Sequence, residues 1–174
     1  MSNLRLINET TPTSVSSFQI NDVFTDDFNI YKIVISDVDS ASTNNWSHMR
    51  FVNSSGSLDS LSNYDFANWQ FRSYASFGEN RNTNQTELQY VFYSSPDISA
   101  GAVIYVFNPT SSSSYTFMIA QSNGFNSASG GGSDGVKYIG VLKNTSIMKG
   151  FGFRRASGTY DSLKVRTYGL RVDN

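Results

Sequence analysis

Apolar residues in this chain recur at every second position, stretch after stretch, and no long window carries them at the i, i+3, i+4 spacing of an amphipathic helix. Side chains alternate between the two faces of a strand, so this pattern restricts the chain to strands and loops. In residues 30–38, Tyr31, Ile33 and Ile35 share one face, while Lys32 and Ser36 share the other with Val34. Residues 102–107 are apolar on both faces, which predicts a central strand covered on both sides. Asn108 and Pro109 end it, because proline has no N–H for the ladder. Strands are expected over 16–24, 30–38, 47–53, 69–74, 86–94, 102–108, 115–121, 136–142, 146–154 and 162–172. Short strands at this spacing predict a β-sandwich.

A chain of 174 residues fits one domain with one core. No internal repeat is evident, and the polar stretches at 54–57, 111–114 and 129–135 are too short for interdomain linkers. Mean hydropathy is low at -0.33, yet 14% of residues are aromatic, and rings at strand spacing offset the ordering entropy. Cysteine is absent, so packing or assembly supplies the stability. Neither a signal-peptide apolar core nor a membrane-spanning run is present, so no membrane insertion is expected. Net charge is -1, but residues 137–174 carry eight Lys or Arg against two Asp, and the rest of the chain five against twelve. The basic segment is expected to pair with the acidic strands upstream.

The chemistry-bearing residues form no catalytic set. Gly130 and Gly135 have the outer spacing of a phosphate-binding loop, but Val136 stands where its lysine belongs and Lys137 comes one place late. Asp26, Asp27, Asp37 and Asp39 supply hard oxygens without the spaced loop of an EF-hand, so no metal is expected. His48 is the single histidine, which excludes multi-histidine metal sites; it is expected on a strand surface. There is no Gly-x-Ser-x-Gly elbow. Glu9, Glu79 and Glu87 are expected as solvated loop acids rather than a glycosidase pair. The basic C-terminal segment, interleaved with Phe151, Phe153, Tyr160 and Tyr168, has the residue types of a single-strand binder, but a pI of about 5.7 argues against nucleic acid. Trp46, Tyr64, Trp69 and Tyr74 lie in or beside Asn- and Ser-rich stretches, a mixture that suits stacking on sugar faces and hydrogen bonding to hydroxyls. The competing account is that these rings cap the ends of the core.

Several segments in order carry a family likeness. Residues 16–20 lead through Phe24 to 29–35 with Tyr31-Lys32-Ile33 at the centre; Met49-Arg50-Phe51-Val52-Asn53 precedes Ser and Gly; residues 101–107 end in Asn108-Pro109; and Ser157-Gly158-Thr159 precedes Tyr168-Gly169-Leu170. Together they resemble the small β-sandwich virion structural proteins of tailed bacteriophages, particularly of marine and cyanobacterial phages. The resemblance implies a jelly-roll-like antiparallel sandwich over residues 15–174, a polar N-terminal arm over residues 1–14, and a closing hairpin at the C-terminus. It also implies a non-enzymatic virion component without cofactor, a capsid decoration protein or tail-fibre part that meets other virion proteins and forms a homo-oligomer. The alternative is a carbohydrate-binding module for host-surface glycans. Either glycan or partner contact is expected at Trp46, Tyr64, Trp69 and Tyr74 and in the 129–135 loop.

Overall fold

The structure, a computed structural model, describes residues 3–41, 44–96, 100–127 and 131–171. Its strands are β1 (Leu4–Thr10), β2 (Thr13–Val15), β3 (Ser17–Ile20), β4 (Ile30–Ser40), β5 (Asn45–Asn53), β6 (Tyr64–Arg72), β7 (Gly78–Gln85), β8 (Leu88–Ser94), β9 (Ala100–Phe107), β10 (Thr116–Asn126), β11 (Gly132–Leu142), β12 (Met148–Arg155) and β13 (Tyr160–Leu170). They form two antiparallel sheets. The large one runs β1-β13-β4-β9-β10-β11-β6-β7, with β2 also on β13, and the small one runs β3-β12-β5-β8. The chain crosses repeatedly from one sheet to the other, in the manner of a jelly roll, so neighbours in a sheet are mostly distant in sequence.

The core lies between the sheets and is largely aromatic. Tyr31, Ile33, Ile104, Val106 and Val165 come from the large sheet, and Met49, Phe51, Phe92, Phe151 and Phe153 from the small one; all are fully buried or nearly so. Phe153 packs against Phe92 with ring centroids 5.5 Å apart, and Phe151 lies 5.9 Å from Phe24. Each buried ring contributes roughly 2–3 kcal/mol relative to exposure. The apolar strand read from residues 102–107 is β9, in the middle of the large sheet between β4 and β10.

Four expectations are corrected. Residues 4–10 of the expected arm are a strand, β1, paired with β13, and Thr13–Val15 pairs there too; the alternation that marks them is weak because β1 is an edge strand, open on one side. The C-terminal strands form no hairpin: β12 lies between β3 and β5 in the small sheet, and β13 lies in the large sheet. The turn between them, with Gly158 at φ 74, carries the chain across the sandwich. Residues 78–82, read as a polar loop around Glu79, belong to edge strand β7, which is held by its ladder to β6 without apolar residues of its own. In the expected loop at 129–135, β11 already begins at Gly132, while residues 129 and 130 lie outside the described residues.

Pairing of the basic C-terminal segment with acidic upstream residues is observed. Arg166 of β13 meets Glu9 of β1 at 2.5 Å, Lys143 meets Asp65 at 2.9 Å, and Arg154 of β12 binds Glu87.

Two glycines are required by the close approach of neighbouring chain. A Cβ on Gly150 would lie 2.1 Å from the Ile20 carbonyl oxygen, and one on Gly169 would lie 2.4 Å from the Phe28 ring. A ring can shift, whereas the Ile20 carbonyl belongs to backbone beside the β3–β12 ladder. Both Gly150→Ala and Gly169→Ala should destabilise the fold, the second by about 1–3 kcal/mol and the first by more. Thermal unfolding measures this, at roughly 2–4 °C per kcal/mol for a chain of this size. An unchanged midpoint in Gly150→Ala would contradict the close approach.

Candidate functional site

Alternation on the large sheet sends one set of side chains into the core and leaves the other on its outer face, where no other described element packs. Cross-strand register arranges that outer face in rows. One row reads Glu79, Trp69, Lys137, Gln121, Val103 and Val34 across β7, β6, β11, β10, β9 and β4. The next reads Arg81, Ala67, Ile139, Ile119, Tyr105 and Lys32. A third brings Val141, Phe117 and Phe107 together, and a fourth Phe71, Gly135 and Asn123.

Three surface cavities follow one another along β10 and β11 on this face. The first, about 630 Å³, is lined by Phe107, Phe117, Ile119, Ile139 and Val141 with Asp65 and Arg81 at its rim. The second, about 430 Å³, shares Ile119 and Ile139 and adds Tyr105, Gln121, Lys32 and Lys137. The third, about 410 Å³, is lined by Phe71, Phe77, Asn123 and Ser133. From Val141 to Ser133 the trough spans roughly 27 Å at strand rise.

Aromatic side chains stand at one end of the trough. Trp69 is 58% exposed and Phe77 64%, and both touch Phe71, with centroids 6.2 Å and 5.6 Å away. Large rings left in water as a contiguous group on a rigid sheet mark a contact surface. Chemically, the trough offers flat apolar faces beside amide, hydroxyl and ammonium donors.

The structure separates the four residues singled out from sequence. Trp69 is on the outer face, as a contact residue should be. Tyr64 is fully buried in the core, stacked on Phe51, with its hydroxyl donating to the Asp59 carbonyl and accepting from the Phe51 N–H; burial raises its pKa. It is therefore structural, not a contact residue, because β6 begins at Tyr64 and its alternation points this ring inward. Trp46 lies on the small sheet, packed edge-on against Tyr90 and Tyr93. Tyr74 is half-buried in the β6–β7 connection, donating to Asp134 and accepting from Asn126, both at 2.8 Å. Phe71, Phe77, Phe117, Ile119 and Ile139 were missed. The outward alternation of β6, β10 and β11 was visible in the sequence, but the face that looked outward was not.

A second polar centre lies where β5, β12 and the start of β8 meet. Glu87 is only 3% exposed and accepts hydrogen bonds from His48 Nδ1 and Arg154 Nε, both at 2.8 Å, with Arg50 3.5 Å away. Both residues were misplaced from sequence: His48 is buried rather than on a strand surface, and Glu87 is buried rather than solvated. Burial alone would raise the Glu87 pKa, but the hydrogen bonds from His48 and Arg154 and their charges bring it down to about 2. Such a network holds three strands together. Among the described residues no group of three or more His, Cys, Asp or Glu side chains converges as a metal site would require.

No family model matches the chain, and no curated protein matches it. Among solved structures, the chain is similar to the endo-β-1,4-glucuronan lyase of the fungus Trichoderma reesei, with 8% identity over 94% of this chain and 80% of that one, at a TM-score of 0.37. It is also similar to the CBM2 module of the evolved Dit of Lactobacillus casei BL23 phage J-1, with 9% identity over 91% and 70% of the two chains, at a TM-score of 0.20. Neither likeness is close enough to carry an argument about activity.

The depressed pKa gives a pH dependence with a definite sign. A carboxylate with folded pKa near 2 against an ordinary value of 4.5 adds stability that is fully present above the ordinary value and lost as pH falls toward 2. Glu87→Gln should cost up to about 3 kcal/mol at pH 7, since it removes the buried carboxylate's charge-assisted bonds to His48 and the half-exposed Arg154, and should flatten stability between pH 4.5 and 2. Chemical denaturation across that range tests it; an equally steep acid loss in the variant would place the titrating group elsewhere.

Proposed function

We propose that this protein is a non-enzymatic binding module that engages a polysaccharide along the outer trough of its large sheet. The observation that carries the reading is the exposed group of Trp69, Phe71 and Phe77, with Asn123 beside it, at one end of a trough lined further along by Gln121, Lys137 and Tyr105. Rings present flat apolar faces to the C–H side of a pyranose, while amides and ammonium groups reach its hydroxyls. A length of roughly 27 Å along β11 accommodates an extended chain of several sugars. The residue likeness to tailed-phage virion proteins supports a module carried on a phage particle, in a tail fibre or spike that meets a host-surface glycan.

Glycan-array screening followed by calorimetry on the best hit tests this. Trp69→Ala should weaken binding at least tenfold, about 1.4 kcal/mol, with an unchanged unfolding midpoint, since the ring is exposed. Absence of any glycan hit, or full affinity in Trp69→Ala, would overturn the assignment.

A second reading, assembly with other copies or other virion proteins as in a capsid decoration protein, is favoured by β1. This edge strand pairs only with β13 and exposes Leu4 and Leu6, a combination that natural edges ordinarily blunt with charge. Light scattering is expected to show an oligomer, which Leu6→Lys should dissociate. A monomer at all concentrations, alone and with capsids or tails, would remove this reading.

A further inference from the structure

The trough is electrically one-sided. Lys32 and Lys137 line its middle cavity, and Arg81 lines the first. None of the three takes part in an ion pair among the described residues. The two carboxylates along the trough are already engaged: Asp65 pairs with Lys143 at 2.9 Å, and Asp134 is buried and accepts from the Tyr74 hydroxyl. Glu79 stands beyond Trp69 on β7, at the margin rather than in the cavities. The Lys32 ammonium lies over the Tyr105 ring, its nitrogen 6.0 Å from the centroid, a weak contact that holds the charge above the apolar floor without neutralising it. A free cation on an apolar wall, with no acid to answer it, is complementary to an anion brought in by the ligand.

We infer that the polysaccharide bound in this trough is acidic, and that Lys32 and Lys137 receive its carboxylate or sulfate groups. This rests on the polysaccharide reading above and goes further by naming the ligand's charge. The lysines sit on β4 and β11, three strand spacings apart, or about 14 Å. Both lysines line the one middle cavity, so the acid groups of a chain running along the trough pass between them, while the rings at Trp69 and Tyr105 stack on sugar faces beside them. A neutral chain offers the ammonium groups hydroxyls but no opposite charge.

The experiment uses the full chain and two sets of hexasaccharides, measured by calorimetry. One set contains mannuronate, guluronate, glucuronate and galacturonate oligomers beside their carboxyl-reduced counterparts. The other contains sulfated galactan oligomers beside their desulfated counterparts. At least one acid form is expected to bind about tenfold more tightly than its neutral counterpart, on the scale of two partly exposed ion pairs. That advantage should shrink between 0.05 and 1 M NaCl, as the screening length falls toward about 3 Å. Lys32→Met with Lys137→Met should abolish the difference between acid and neutral forms while leaving the unfolding midpoint unchanged. The set that shows the difference distinguishes carboxylate from sulfate. Equal affinity for acid and neutral forms, or an advantage that survives in the double variant, would overturn the acidic assignment and leave the polysaccharide reading standing. Binding of no member of either set would overturn both.

Discussion

Everything in this molecule depends on aromatic packing between two antiparallel sheets of unequal size. Phe151 and Phe153 of β12 reach Phe18, Phe24 and Phe92, and through them the large sheet at Tyr31 and Tyr160. β12 sits inside the small sheet, between β3 and β5. Gly150 and Gly152 alternate with the two rings, so one face of the strand fills the core while the other lets neighbours close in on its backbone. Large rings on the inside and no side chain on the outside are two halves of the same requirement.

The size difference between the sheets sets up the functional face. The inner side of the large sheet is committed to the core, and its outer side carries Phe117, Ile119, Ile139 and Trp69 with no described element to cover them. Residues that contribute little to folding but remain large and apolar serve contact with something else. The trough is rigid because its floor is the paired β10 and β11, joined along eleven residues each. Rigid placement lowers the ordering cost of binding a flexible chain.

The polar interior follows a different logic from the trough. Glu87 accepts from His48 and Arg154 where β5, β12 and the start of β8 meet, and the carboxylate's charge is answered there. Lys32, Lys137 and Arg81 share no such arrangement. The contrast separates charges that hold the fold from charges left for a ligand, a distinction that composition alone does not draw.

Alternation by itself determined the all-β class, most strands and much of the core, since a strand's inward set is apolar wherever it lies; Ile33, Val106, Phe153 and Val165 were legible in this way. The acid–base pairing between the two ends of the chain was legible too, because opposite charges on paired strands cancel whichever strands they are. Edge strands β1 and β7 were not, because an edge is held by backbone hydrogen bonds that any sequence without proline supplies. Only the tertiary structure decided that β12 and β13 part into different sheets, that Tyr64 points inward while Trp69 on the same strand points out, and that Ile119, Ile139 and Trp69 share one outer face. Period two says which residues lie together on a face; it does not say which face meets the other sheet, and that choice is made only when the two sheets pack.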